Sequence, residues 1–203
     1  MRLLVDSDAF CKLAVGGLFE DALRALQLEP ADCARLAALP RILERGRLRR
    51  RLGDEACDAL IPTARSIPVI PAGASEWVDQ LTLIVDIDAG EAQIFAVAAE
   101  LDLLVISGDK RALRALRHAP EVCERLRGNV VVLEALLIRV AERLGVDELR
   151  RRLVPVYSLD TAVRVCFSAN ENEPLGALRS YYDALRREVS PLVLWDPGPD
   201  REQ

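Results

Sequence analysis

Three short apolar runs divide the chain: Leu3-Leu4-Val5, Leu103-Leu104-Val105-Ile106 and Val130-Val131-Val132-Leu133. Each is unbroken by polar residues, the pattern of a strand buried on both faces of a parallel sheet. They predict strands at 2–5, 103–106 and 129–133. A weaker apolar piece at 67–70, bracketed by Pro62, Pro68 and Pro71, predicts a brief fourth strand. Elsewhere apolar positions recur at helical spacing. They predict a helix from about Ala9, capped by Ser7 and Asp8, then helices at 20–28, 31–39, 41–60 and 75–85. Further helices are predicted at 91–101, 110–116 and 134–144. Strands alternating with helices call for right-handed crossovers and a central parallel sheet flanked by helices, an α/β fold. Beyond Gly145 the pattern is helical only, at 147–153, 160–167 and 175–189, with a polar break from Asn170 to Pro174 and a frayed tail from Asp196. The organisation expected is therefore one α/β domain over residues 1–144 and a helical C-terminal extension over 145–203, packed on it.

Composition narrows the chemistry. The 203 residues are enough to bury a core without disulfide or metal support. The five cysteines are scattered with no paired spacing, and His118 is the single histidine. Zinc sites lack ligands at the needed spacings, a single histidine disfavours histidine-based triads, and the cysteines read as small buried hydrophobes. His118, just before Pro120, reads as a loop or helix-end residue. A net charge of −5 disfavours a nucleic-acid coat protein but leaves room for a nuclease that keeps its positive field on one face. Asp6 comes too early for a signal-peptide core and no apolar run reaches the roughly 18 residues of a membrane span, so a cytoplasmic location away from membranes is expected.

What remains for chemistry is carboxylates, hydroxyls, Lys and Arg. In open α/β sheets ligands gather at the carboxyl ends of the strands. Asp6 ends the first strand, Asp109 follows the second, and Glu91 opens the helix that leads into it. Each has an ordinary role as well, Asp6 and Asp109 as helix caps and Glu91 as a complement to a helix dipole. Together at one sheet edge they repel one another, and a hard divalent cation, Mg²⁺ or Mn²⁺, relieves that repulsion with all-oxygen ligation.

These residues resemble the PIN-domain family, which includes bacterial toxin ribonucleases of the VapC type. The matching segments are Leu3-Leu4-Val5-Asp6-Ser7-Asp8, Asp88-Ala89-Gly90-Glu91-Ala92 and Leu103-Leu104-Val105-Ile106-Ser107-Gly108-Asp109-Lys110, closed by the strand from Asn129 to Leu133. The resemblance covers roughly residues 1–144. It implies a PIN-like three-layer fold and a metal-dependent endoribonuclease. Asp6, Glu91 and Asp109 would hold the metal, with Asp8 in support and Ser107 orienting a carboxylate or water. An RNA substrate, a small antitoxin protein and a homodimer would follow as partners. The chain departs from the family where Lys110, Arg111 and Ala112 follow Asp109 in place of a further acid, leaving Asp8, Asp86 and Asp88 as alternatives for a fourth ligand.

For the substrate, Lys110 and the basic run Arg41, Arg45, Arg47, Arg49, Arg50 and Arg51 offer phosphate contacts, with Arg49 and Arg50 the chosen candidates. Such a run is equally a solvated helix face, balanced by Glu44, Asp54 and Glu55. Tyr181 and Tyr182 offer stacking surfaces, although one of two adjacent helical tyrosines normally faces a core. Two other functions fit parts of the pattern. Asp6-Ser7-Asp8 imitates the opening of a haloacid-dehalogenase-type phosphohydrolase, with Asp6 as nucleophile and Asp8 as acid, but leaves Glu91 without a role. A catalytically degenerate PIN-like module that binds RNA or protein is the third.

Overall fold

Four strands form the centre of the molecule: β1 (Leu3–Val5), β2 (Cys33–Arg35), β3 (Leu104–Ser107) and β4 (Val130–Val132). All pair in parallel, in the order β2-β1-β3-β4, with Val5 opposite Arg35 on one side and Ile106 on the other. Isolated bridges lengthen the sheet at both margins, Val69 beside Arg35 and Leu194 beside Val130. The computed structural model describes residues 1–45, 47–70, 76–168 and 173–198. Pro71, the expected helix start at Ser75, the polar break at 170–172, the tail at 199–203 and the Arg47 side chain lie outside the described residues.

Alternation along the strands builds two core layers. Leu3, Val5, Ile106 and Val131 face one layer with Phe10, Leu13, Leu136 and Leu137. Leu4, Val105, Val130 and Val132 face the other with Ile94, Phe95, Leu113 and Leu116. This is the two-residue period of a strand buried on both sides. Helices Ser7–Val15 and Leu133–Leu144 cover the first face, and Ala89–Leu101 and Lys110–Ala115 the second. The segment after Leu144 contributes to both layers: Leu149, Leu153, Val163, Phe167 and Leu178 enter the first, and Tyr182, Leu185, Leu192 and Leu194 the second. All five cysteines are buried, and none forms a disulfide. Among the described residues no helix is long and apolar enough to cross a membrane.

Three expectations change. The helix read at 31–39 is instead a 3₁₀ turn, Pro30–Asp32, running into β2, whose residues are all buried. Arg35 belongs there because its guanidinium donates to the carbonyls of Ala64 and Leu36. The long helix read at 41–60 is three pieces, Leu39–Glu44, Arg47–Leu52 and Asp54–Ser66. Arg45 is extended and Gly53 takes a φ of +87°, a conformation that only glycine adopts without strain. The strand read at 67–70 shrinks to the single bridge at Val69, and the helix Asp54–Ser66 carries Pro62 inside it. A short helix absent from the sequence reading, Pro120–Arg125, begins with proline at its first position, where a missing N–H costs nothing.

Candidate active site

The pairing of β1 with β3 brings two strand ends side by side. Asp6 follows Val5, and its backbone N–H continues the ladder by donating to Ile106 (3.0 Å). Asp109 follows β3 by two residues and caps Lys110–Ala115, accepting from the N–H groups of Arg111 (2.8 Å) and Ala112 (3.3 Å). Glu91 lies in the first turn of Ala89–Leu101 in a reciprocal cap with Asp88: Glu91 N–H donates to Asp88 Oδ1 (2.9 Å) and Asp88 N–H to Glu91 Oε2 (2.8 Å). The capping role read for Asp109 is therefore real, Glu91, read as a complement to the helix dipole, takes part in a cap as well, and Asp6 makes no side-chain cap.

These groups line one cleft of about 680 Å³, whose lining includes the acids Asp6, Asp8, Asp88, Glu91 and Asp109 together with Leu36, Ile42, Leu48 and Arg51. Among the described residues no Lys or Arg pairs with Asp6 or Glu91. Burial, with the charge of Asp8 added, pushes the Asp6 carboxyl up to about 6. Burial also pushes Glu91 up to about 7, helped by the charges of Asp88, Asp109 and Asp6. Asp109 goes the other way. Burial raises it, but the Arg111 guanidinium at 2.9 Å and the two backbone donors outweigh that and hold it below the usual aspartate value.

Compared with protein-family models, curated proteins and solved structures, the chain matches none.

The chemistry of the site is therefore judged on its own residues. Every candidate donor is oxygen, which suits a hard cation rather than zinc or copper. Ser7 Oγ, which lines the cleft beside Asp6, is buried and finds no hydrogen-bond partner among the described residues. A buried hydroxyl left without a partner costs free energy that a ligand or ion-held water removes. The donors suit Mg²⁺ or Mn²⁺, but they are not gathered into a finished cage: no three Asp, Glu, His or Cys side chains among the described residues are set to hold an ion. Glu91 accepts in its cap through Oε2 alone, which leaves Oε1 for an ion, whereas both oxygens of Asp109 accept from Arg111 and would be shared with it on ligation.

The other sequence candidates divide. Asp8 lines the cleft and pairs with Lys12 (2.6 Å), which also pairs with Asp160 (2.8 Å). A side chain at Gly108 would place its Cβ 2.6 Å from Asp8 Oδ2, so glycine is required for this approach. Ser107 is buried in β3, aligned with Val132, and does not line the cleft. Lys110 pairs with the buried Glu134 and lies 5.7 Å over the Tyr181 ring, beside the cleft rather than in it. Tyr182 is core, its hydroxyl donating to the carbonyl of Trp195. Arg49 is engaged by Asp54 (2.6 Å) and Asp58 (2.7 Å), and neither Arg49 nor Arg50 lines the cleft. Their neighbour Arg51 does, and it donates to the carbonyl of Ser158. Sequence reasoning placed Arg51 only within the basic run and assigned no site role to Ser7, Lys12 or Asp160. The one local signal was the four-residue spacing of Asp8 and Lys12, which places both on one helix face.

Proposed function

We propose that this chain is a PIN-like, divalent-metal-dependent nuclease acting on RNA. The observation that carries the reading is the meeting of Asp6, Glu91 and Asp109, from three separate elements, on one cleft at the carboxyl end of a parallel sheet. Two of the three hold their protons unusually high without a cationic partner, the signature of acids placed for a ligand rather than for stability. A bound Mg²⁺ or Mn²⁺ supplies a water of lowered pKa and positive charge against the leaving oxygen of a phosphodiester. Asp6, Glu91 and Asp109 would hold it, with Asp8 kept close by Lys12 and the unpartnered Ser7 hydroxyl beside Asp6. Arg111, exposed at the mouth, carries a positive charge where a phosphate group enters. Leu36, Ile42 and Leu48 give the same cleft an apolar lining beside the carboxylates.

Calorimetric titration with Mn²⁺, paired with cleavage of labelled RNA in Mn²⁺ and in EDTA, tests the reading. Wild type is expected to bind the ion and to cleave only when it is present. Asp6→Asn and Glu91→Gln are each expected to lose roughly 100-fold or more in cleavage rate. Cleavage that persists in Glu91→Gln, or in EDTA, overturns the assignment. Hydrolysis of a phosphomonoester that Asp8→Asn abolishes and Glu91→Gln spares would point to the phosphohydrolase chemistry instead.

A further inference from the structure

A second groove of about 520 Å³ runs beside the acidic cleft. One wall is the turn at residues 83–86, where the Leu83 and Val85 side chains are 85% and 84% exposed. The other is the helical segment Lys110–Ala115 and its continuation Leu116–His118, which presents Arg111, Arg114 and Arg117 at every third position. A smaller hollow lined by Asp86, Asp88, Glu91 and Arg111 joins the groove to the acidic cleft, since it shares residues with both.

We propose that this groove is the track for the single-stranded RNA substrate, with Arg114 and Arg117 holding its phosphates and Leu83 and Val85 offering a surface to its bases. The inference rests on the nuclease reading and adds the path by which substrate reaches the acids. A cationic wall facing an apolar one is the chemistry a single nucleic-acid strand needs, charge for the backbone and an apolar face for the unpaired bases. Arg117 has no carboxylate partner among the described residues; its Nε–H donates to His118 Nε2 (3.3 Å). Arg114 pairs with Glu188 in an exposed pair that water screens and a phosphate can displace. The rival basic run is less available, with Arg49 engaged by two aspartates and Arg51 by the Ser158 carbonyl. Continuity also favours the groove: a strand lying against Arg114 and Arg117 passes Arg111 and reaches Glu91 without leaving the surface.

The test measures fluorescence anisotropy of a labelled single-stranded RNA of about 15 nucleotides in EDTA, with the full chain, over a series of KCl concentrations. Arg114→Ala/Arg117→Ala is expected to weaken binding roughly tenfold and to reduce the log–log salt slope by about 1.4, two phosphates at about 0.7 each for a single strand. Arg114→Lys/Arg117→Lys keeps the charge and is expected to bind nearly as wild type, which separates loss of contact from loss of fold. Arg49→Ala/Arg50→Ala is expected to leave affinity and slope unchanged. Unchanged affinity in the alanine pair, failure of wild type to bind RNA, or a larger loss in the Arg49/Arg50 pair each overturns the groove; the first would assign this surface to a protein partner. Mn²⁺-dependent cleavage and its loss in Glu91→Gln report on the nuclease reading separately. Groove-dependent binding without cleavage would keep the track and discard the enzyme.

Discussion

Asp6 and Glu91 set the pH behaviour of the site residue by residue. In the folded chain their carboxyls release protons near 6 and 7, against ordinary values of 3.8 and 4.5. Between those limits the folded state binds more protons than the unfolded one, so each group lowers stability as pH rises through that window. Below the ordinary values both states are protonated and the effect vanishes. Asp6→Asn removes the buried charge and is therefore expected to stabilise the metal-free protein at pH 8 by about 2–3 kcal/mol, and to change little at pH 3. Thermal denaturation at the two pH values checks this, and an Asp6→Asn variant less stable than wild type at pH 8 would show that the carboxylate is structurally satisfied. The sign is opposite to that of an ordinary core substitution, most of which destabilise. Asp6 was legible in the sequence as a polar residue at the tip of an unbroken apolar run, and Glu91 as the first acid of a helix that opens after the turn ending in Gly90. Their protonation was not legible, since it depends on burial and on the absence of a nearby cation.

At the level of elements, legibility followed the length and purity of the apolar pattern. β1, β3 and β4 are read directly from runs such as Val130-Val131-Val132, because no amphipathic helix tolerates so many adjacent buried positions. β2 is three residues, and its last is Arg35, so a window tuned to helical spacing absorbs it into the flanking apolar residues. What makes an arginine possible in that strand is distant: Ala64 supplies a carbonyl 29 residues away, and Leu36 supplies another. Arg35→Leu fills similar space but takes this donor from the Ala64 carbonyl, while Leu36 keeps the Leu39 N–H (3.2 Å), and it is expected to destabilise the fold by about 1–3 kcal/mol, with no pH dependence between 6 and 9. Urea unfolding at both pH values measures it; a variant as stable as wild type would mean that the Ala64 carbonyl does not need the guanidinium. The stretch 41–60 reads as one helix because its apolar positions keep a helical spacing, whereas the backbone breaks it at Arg45 and Gly53 among the described residues.

Across the whole molecule the segment after Leu144 is tied to the acidic cleft by a contact that no local pattern contains. Lys12, 7% exposed at its side chain, bridges Asp8 and Asp160, which lie 148 residues apart from Lys12 in the second case and one helical turn away in the first. Burial alone would lower the Lys12 value, but the two carboxylates outweigh it and push it up to about 12. Burial raises Asp160, and Lys12, with the Val163 N–H and the charge of Lys110 added, more than reverses that and holds it below its ordinary value. A depressed acid stabilises the folded state above its unfolded pKa and loses that contribution as pH falls through its folded value. Asp160→Asn keeps the cap to Val163 N–H within reach of the amide oxygen but removes half of the charge balance on Lys12. Because Asp8 remains, the cost is expected to fall short of the 3–5 kcal/mol typical of an orphaned buried charge, at about 1–3 kcal/mol near pH 7, and to shrink as the medium is acidified below pH 4. With Asp160 neutral, Lys12 leans wholly on Asp8, and that carboxylate becomes harder to draw toward an ion in the cleft. Mn²⁺ titration of Asp160→Asn should accordingly show weaker binding than wild type, although Asp160 lies too far along the chain for any sequence motif to associate it with the site. Unaltered Mn²⁺ affinity, alongside the expected loss of stability, would confine Asp160 to holding the C-terminal helices against the sheet edge.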